Sequence, residues 1–173
     1  MPITVLYKPK SDLIHTFALN FQAVTIEEEL KQNKRFKNPH HRMIVNIIFT
    51  GNWVQRNIGA QLRPFGLSLQ QYNVLRILRG QYPNPSTLGM VQERMMDRMS
   101  NATRLIDKLL DKELVERYQC KSNRRKVDII ITQKGLELLA QTDVIIDSLE
   151  QDYQSLTTEE ATQLGLLLDK LRG

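Results

Sequence analysis

The amino-acid sequence predicts a mainly α-helical fold that is interrupted once, late in the chain, by a small β-hairpin. Three observations support this fold class. Apolar residues recur at helical spacing through most of the 173 residues, the period becomes extended only between about residues 114 and 131, and Gly and Pro residues separate the periodic segments. A single cysteine, Cys120, excludes an internal disulfide. The fold therefore depends on an apolar core.

The N-terminal arm, residues 1–39, is predicted to contain one short helix. Thr25 precedes three glutamates at residues 27–29, and a threonine followed by acidic residues is typical of a capped helix start. About 35 residues precede the next helix, and this arm either wraps a partner subunit or is partly loose.

Two longer helices are predicted next. Isoleucines at helical spacing indicate a helix from residue 40 to about residue 63, and Pro64 and Gly66 end it. Ser68 caps a second helix that ends at Gly80.

Two shorter helices precede the hairpin. The first begins at Ser86 or Thr87 and ends near Met95, and the second extends from about Ser100 to Lys112. The period then becomes extended, which predicts strands at residues 114–118 and 126–131 around a polar turn at residues 121–124.

Two C-terminal helices complete the chain. Thr132 caps one that ends near Ser155, and Thr157 with Glu160 forms a capping box for the last, which includes Leu171. We therefore expect four parts in the chain: the arm at 1–39, a long helix at 40–66, three helices with the hairpin at 67–131 and the C-terminal helices at 132–173.

Positive charge is concentrated early in the chain. The net charge is +5, but residues 1–85 carry 11 basic and 4 acidic side chains, whereas residues 132–173 carry 3 and 8. Such asymmetry favours one face for a polyanion. We recognise no signal peptide, membrane-spanning run, metal-ligand spacing or catalytic constellation in the sequence. We therefore expect a cytoplasmic protein that is not an enzyme and that binds no cofactor.

Two short helices followed by a basic hairpin predict a winged helix-turn-helix that reads double-stranded DNA. The second helix of the pair must leave its outer face free for base edges. Short polar side chains and arginine suit those edges, and Lys108 suits the backbone. A helix N-terminus suits a phosphate, and a basic loop suits the minor groove. The candidate DNA-binding residues are Ser86, Thr87, Ser100, Asn101, Thr103, Arg104, Lys108, Lys121, Arg124, Arg125 and Lys126.

These same segments resemble the MarR family of bacterial transcription regulators. Residues 100–109 with 114–117 are similar to its recognition helix and first wing strand, and residues 123–125 with 131–135 to its Asp-x-Arg wing and Leu-Thr-x-x-Gly helix start. The resemblance covers about residues 40–171. It implies one intertwined structural unit, an obligate homodimer with a dimerisation helix at 40–66, a winged helix-turn-helix DNA-binding lobe at 67–131 and dimerisation helices at 132–173. It also implies that this homodimer binds a pseudo-palindromic operator, usually as a repressor, and that a small phenolic or lipophilic effector, or oxidation, often releases it.

Two residues depart from the family pattern. Glu113 occupies the position of the glycine that normally follows the recognition helix, so we expect the left-handed cap to be lost or replaced. Asn123 replaces the wing aspartate, which weakens the charge pair that stiffens the wing, whereas Arg125 matches the arginine expected in the minor groove.

Other residues leave alternatives open. Phe49, Trp53 and Tyr72 either line an effector cavity or pack in the core. Cys120 lies at the wing base near Arg117 and Lys121, which would lower its pKa, but the family's peroxide-sensing cysteine lies elsewhere. The alternative function is a winged-helix protein-interaction module without nucleic-acid binding. RNA binding is less favoured, since no exposed aromatic pair is recognisable.

Overall fold

The computed structural model describes residues 24–119, 127–153 and 155–173. The chain divides into two compact units, residues 1–50 and residues 51–173. Within the described residues, the element order is α1 (Ile26–Glu29), α2 (Pro39–Leu62), a 3-10 turn (Arg63–Phe65), α3 (Leu69–Arg79), β1 (Ser86–Thr87), α4 (Leu88–Arg94), α5 (Ala102–Leu110), β2 (Val115–Gln119), β3 (Val127–Ile131), α6 (Gln133–Asp152) and α7 (Thr158–Arg172). The predicted fold class, mainly helical with a hairpin, is confirmed.

The first unit begins, in its described part, with the predicted capped helix. The Thr25 hydroxyl accepts from the Glu28 amide, and a Glu28 carboxylate oxygen accepts from the Thr25 amide at 2.7 Å, so α1 has a full capping box. Glu27 accepts two hydrogen bonds from the guanidinium of Arg42, at 2.8 and 3.1 Å. This pairing lowers the pKa of the Glu27 carboxyl.

Helix α2 crosses the boundary between the two units. It ends at Leu62, and Pro64 lies in the 3-10 turn that follows. Gly66 adopts a left-handed conformation, with φ of 66°, and its amide donates to the Arg63 carbonyl. The predicted termination by Pro64 and Gly66 is therefore confirmed, and the reason is the usual one: glycine enters this region without a Cβ penalty.

A helix-turn-helix and a small sheet share one core in the second unit. The core is formed by α3, α4, α5 and the sheet, with Leu62 at the end of α2 and Leu139 of α6 packed on it. Its side chains that are at most 2% exposed include Val74, Leu75, Val91, Ile106, Leu109, Val115 and Ile129. Because α5 contributes only its inner face to this core, its outer face is left for other contacts.

The sheet has one strand more than the sequence predicted. Its order is β1-β3-β2, and both pairings are antiparallel, with Ser86 opposite Ile129 and Val115 opposite Ile131. The extra strand β1 has two residues, too few to show an alternating pattern. Because residues 86 and 87 form this strand, α4 begins at Leu88 rather than at Ser86 or Thr87, and Thr87 is its N-cap.

The end of α5 corrects one expectation. Glu113 has φ of 59°, so the left-handed cap is retained although the residue is not glycine. The Leu114 amide donates to the Leu109 carbonyl at 3.0 Å and the Glu113 amide to the Leu110 carbonyl at 2.8 Å. These two bonds are those of a Schellman motif. The expected loss of this cap was wrong.

The start of α6 explains the Thr-x-x-Gly pattern of the sequence. The Thr132 hydroxyl accepts from the Gly135 amide at 3.0 Å and donates to the Glu113 carbonyl at 2.9 Å. A Cβ on Gly135 would lie 2.3 Å from the Leu114 carbonyl oxygen. Only glycine therefore lets α6 pass this closely over the hairpin.

The last helix, α7, begins with the predicted capping box of Thr157 and Glu160. It buries none of its own residues, and its leucines remain exposed: Leu164 46%, Leu166 65%, Leu167 56% and Leu171 52%. In the part of the chain that the structure describes, no helix combines the length and apolar character needed to span a bilayer.

Candidate nucleic-acid interface

Helix α5 presents a polar outer face. Ala102, Ile106 and Leu109 are buried, whereas the predicted contact residues Asn101, Thr103, Arg104 and Lys108 are all exposed. A spacing of three and four residues places Asn101, Arg104 and Lys108 on one side of the helix. The structure thus brings these predicted residues together on one surface.

Asn101 has a structural task as well. Its side-chain oxygen accepts from the Arg104 amide at 3.0 Å, so it is the N-cap and α5 begins at Ala102 rather than near Ser100. Asparagine and aspartate are preferred there because they satisfy an otherwise unpaired amide. The side-chain nitrogen of Asn101 takes no part in this cap, so it keeps its capacity to donate a hydrogen bond.

Ser100 is held inside the turn that precedes α5. Its hydroxyl donates to Asp97 at 2.6 Å, and the Met99 amide donates to the other Asp97 oxygen at 3.0 Å. These hydrogen bonds lower the pKa of the Asp97 carboxyl. Because the Ser100 hydroxyl proton is already donated to Asp97, its oxygen can take part in a further contact only as an acceptor.

The same turn is also fixed by the helices on either side. The Asn73 side chain on α3 accepts from the Met96 amide at 3.0 Å, and the Gln92 amide nitrogen on α4 donates to the Ser100 carbonyl at 3.1 Å. The first bond joins residues far apart in the sequence, and the second joins a helix to the turn that follows it. Helical periodicity predicts neither of them. They hold the backbone of the turn between α4 and α5 at Met96 and Ser100.

An ion pair joins the outer part of α5 to the first strand of the hairpin. The Arg117 guanidinium donates to Asp107 at 2.8 Å, and both side chains are about half exposed. Asp107 and Arg117 are not among the residues that the sequence predicted to act together. The sequence does contain a signal for this contact. The two residues carry opposite charges and lie ten positions apart, one near the end of a predicted helix and the other in the strand that follows it.

Two expected phosphate ligands differ in accessibility. Ser86 is 1% exposed in β1, and its hydroxyl is buried without a partner in the described part of the chain. Its predicted phosphate contact is therefore wrong. Thr87 is partly exposed; its hydroxyl oxygen accepts from the Met90 amide at 3.2 Å, which leaves the hydroxyl proton for an anion.

The wing tip cannot be placed in the same way. Lys121, Arg124, Arg125 and Lys126, with Cys120 and Asn123, lie outside the described residues. The strands that lead to the tip are described, and they pair from Val115 opposite Ile131 to Gln119 opposite Val127.

The proposed effector residues fall in different surroundings. Tyr72 is 3% exposed, Arg76 lies 5.8 Å above its ring, and desolvation raises the pKa of its buried hydroxyl, which has no partner among the described residues. Trp53 is 40% exposed and meets Tyr153 edge-to-face at 5.4 Å. Phe49 belongs to the first unit. A cleft of about 440 Å³ lies elsewhere, between Phe65, Lys112 and Lys134, and none of the three aromatics lines it.

Comparison with known proteins identifies the winged helix. Residues 67–127 match the family model described as MarR family. A MarR transcription factor from Planctomyces limnophilus is 29% identical, with a TM-score of 0.60 over 78% of this chain and 98% of that one. A mutant MarR from E. coli, complexed with operator DNA, is 25% identical with a TM-score of 0.65 over 73% and 91%.

A third solved structure shares the fold at lower identity. An organohalide-sensing transcriptional regulator in its 2,4-dichlorophenol-bound form is 20% identical, with a TM-score of 0.72 over 82% of this chain and 86% of that one.

Proposed function

Because its winged helix, residues 67–127, belongs to the MarR family, we propose that this chain is a transcription regulator that binds a pseudo-palindromic duplex operator as a homodimer. The observation that carries the proposal is the outer face of α5, where Asn101, Thr103, Arg104 and Lys108 are exposed together over a buried inner face. A helix with this division can enter a major groove without losing its packing. The operator complex of the E. coli relative supports the same reading.

Each exposed residue has a role that follows from its chemistry. Arg104 suits the paired acceptors of guanine, while Asn101 and Thr103 suit single donors or acceptors on base edges. Lys108 and Thr87 contact phosphates, and these contacts fix the register. Lys121, Arg124, Arg125 and Lys126 form the minor-groove contact of the wing.

Dimerisation is proposed from apolar surface that the single chain leaves uncovered. On α7, Leu164, Leu167 and Leu171 recur at helical spacing and are about half exposed. An exposed apolar stripe of this kind marks an interface, and a second copy is the partner that two symmetric half-sites require. A regulator of this type works in the cytoplasm, on the nucleoid.

We further propose that the regulator represses and that a small phenolic or lipophilic effector releases it. Trp53 and Tyr72 remain the candidate effector residues of the second unit, because Tyr72 carries a buried hydroxyl without a partner in the described residues. A phenol or carboxylate could satisfy such a hydroxyl. The relative bound to 2,4-dichlorophenol shares this fold and supports an effector of this class.

Selection from random DNA duplexes tests the proposal, followed by binding measurements on the selected site. We expect a palindromic site whose half-sites lie about 34 Å apart, and an affinity that falls steeply with salt. Replacing Arg104 with Ala should weaken binding by about 1–3 kcal/mol and relax the preference at one base pair. Lys170→Ala, which removes an exposed cation from α7, is the matched control and should change neither.

The protein-interaction alternative predicts a different result. If no duplex is enriched, or if binding is weak and equally insensitive to salt and to Arg104→Ala, the regulator proposal fails. The winged helix would then be a module that binds another protein through an apolar patch.

A further inference from the structure

The turn between α4 and α5 carries the two most exposed large apolar side chains of the described residues. Met99 is 93% exposed and Met96 is 75% exposed. Methionine is ordinarily a core-filling residue. Met95 in the same turn is buried in this way, at 3% exposed, whereas Met96 and Met99 are not.

This exposure belongs to an ordered turn. The amides of Met96 and Met99 donate to the side chains of Asn73 and Asp97, each at 3.0 Å. The Gln92 side chain donates to the carbonyls of Arg98 and Ser100 on either side of Met99. The backbone on both sides of Met99 is therefore fixed, and it presents the thioether outward at a defined position.

The neighbours of Met99 indicate what it meets. It directly precedes Ser100 and the Asn101 cap, so it lies at the end of α5 that enters a groove. The same short segment exposes two cations, Arg94 and Arg98, and two anions, Glu93 and Asp97, so it carries no net charge that would by itself attract a partner. What places Met99 is its position next to the polar outer face of α5, because a duplex that this face reads must pass beside it. Its partner is then an apolar spot on that duplex.

In the major groove that apolar spot is the C5-methyl group of thymine. We propose that Met99 reads a thymine in each half-site of the operator by covering this methyl group with its thioether side chain. The inference rests on the proposed function, because it names one further specificity-determining residue of the same interface.

The test replaces thymines of the selected duplex one at a time with deoxyuridine, which removes the methyl group and leaves the base pair intact. With the unmodified protein, one thymine per half-site should show about a fourfold loss of affinity, since covering a methyl group is worth ~0.8 kcal/mol. With Met99→Ala the same replacement should cost almost nothing, and Met99→Leu should restore part of the effect.

Met96→Ala is the matched control, since it removes an exposed methionine from the same turn. It should retain the full sensitivity to deoxyuridine. All three substitutions change exposed side chains, so urea unfolding should report the stability of the original protein.

The outcomes separate this inference from the function on which it rests. Failure to select any duplex removes the regulator proposal itself. A selected duplex without a sensitive thymine, or one whose sensitivity survives Met99→Ala or disappears with Met96→Ala, overturns the role of Met99 alone and leaves DNA binding intact.

Discussion

At the level of single residues, the polar side chains around α5 divide between holding the helix and offering atoms to a ligand. Asn101 caps the helix with its oxygen, and Ser100 donates its proton to Asp97. Arg104 and Lys108 are exposed cations. A residue that is already fixed by one hydrogen bond loses less side-chain entropy when it makes a second contact. The cap and the turn therefore prepare the surface as well as stabilise it.

Glu113 is the residue whose backbone conformation opposes its type. A left-handed conformation costs about 1–2 kcal/mol for a residue with a Cβ, and the exposed ion pair between Glu113 and Lys134, at 2.7 Å, recovers only a fraction of that. We expect Glu113→Gly to raise the free energy of unfolding by about 1 kcal/mol, after the greater chain entropy of glycine is subtracted. Urea denaturation measures this directly.

Glu113→Ala separates strain from charge at the same position. It removes the ion pair but keeps the Cβ, so it should stabilise nothing. If Ala and Gly raise stability equally, the left-handed backbone is not the source of the strain.

How much of the site was predictable depends on the range of the contacts. The outward positions of α5 and its neighbouring caps follow from helical spacing and from residues three apart, both of which can be read along the chain. The burial of Ser86 could not be predicted from the local sequence, because it depends on pairing with Ile129, 43 positions away. The exposure of Met99 also depends on a turn held by Asn73 and Gln92, which no local pattern reveals.

At the level of elements, the hairpin is fixed to its neighbours at two places. The ion pair of Arg117 with Asp107 joins β2 to the outer part of α5. Immediately before β2, Gly135 lets α6 lie against the Leu114 carbonyl. In the family that the sequence resembles, an aspartate stiffens the wing, and this chain has Asn123 at that position. The Arg117 pair provides a described contact between the hairpin and the helix.

A double-mutant cycle on this pair measures how far it positions the wing. Both side chains are about half exposed, so removing either should change stability by less than ~1 kcal/mol. For DNA affinity we expect Arg117→Ala and Asp107→Ala each to cost about fivefold, and the double variant little more, because the two residues act through one contact. If the two losses simply multiply, Arg117 meets a phosphate directly and does not act through Asp107.

At the level of the whole molecule, the exposed cations that are proposed to meet DNA and the apolar stripe of α7 lie on different elements. The second unit places exposed cations around α4 and α5, whereas the acidic segment 132–173 carries the exposed leucines of α7. A surface of apolar side chains with few cations is suited to a protein partner rather than to DNA. In the proposed homodimer, this surface of α7 is therefore the candidate contact between the two copies.

Introducing a charge into the α7 stripe tests that dependence. Leu167→Glu places a carboxylate where two copies would bury an apolar side chain, so we expect sedimentation to show a monomer. Thr162→Glu adds the same charge on the opposite side of α7 and should leave the dimer intact. If both variants remain dimeric, the contact between copies lies elsewhere. If Leu167→Glu is monomeric, its affinity for the full palindrome should fall to that for a single half-site, because the second half-site then gains nothing from the first.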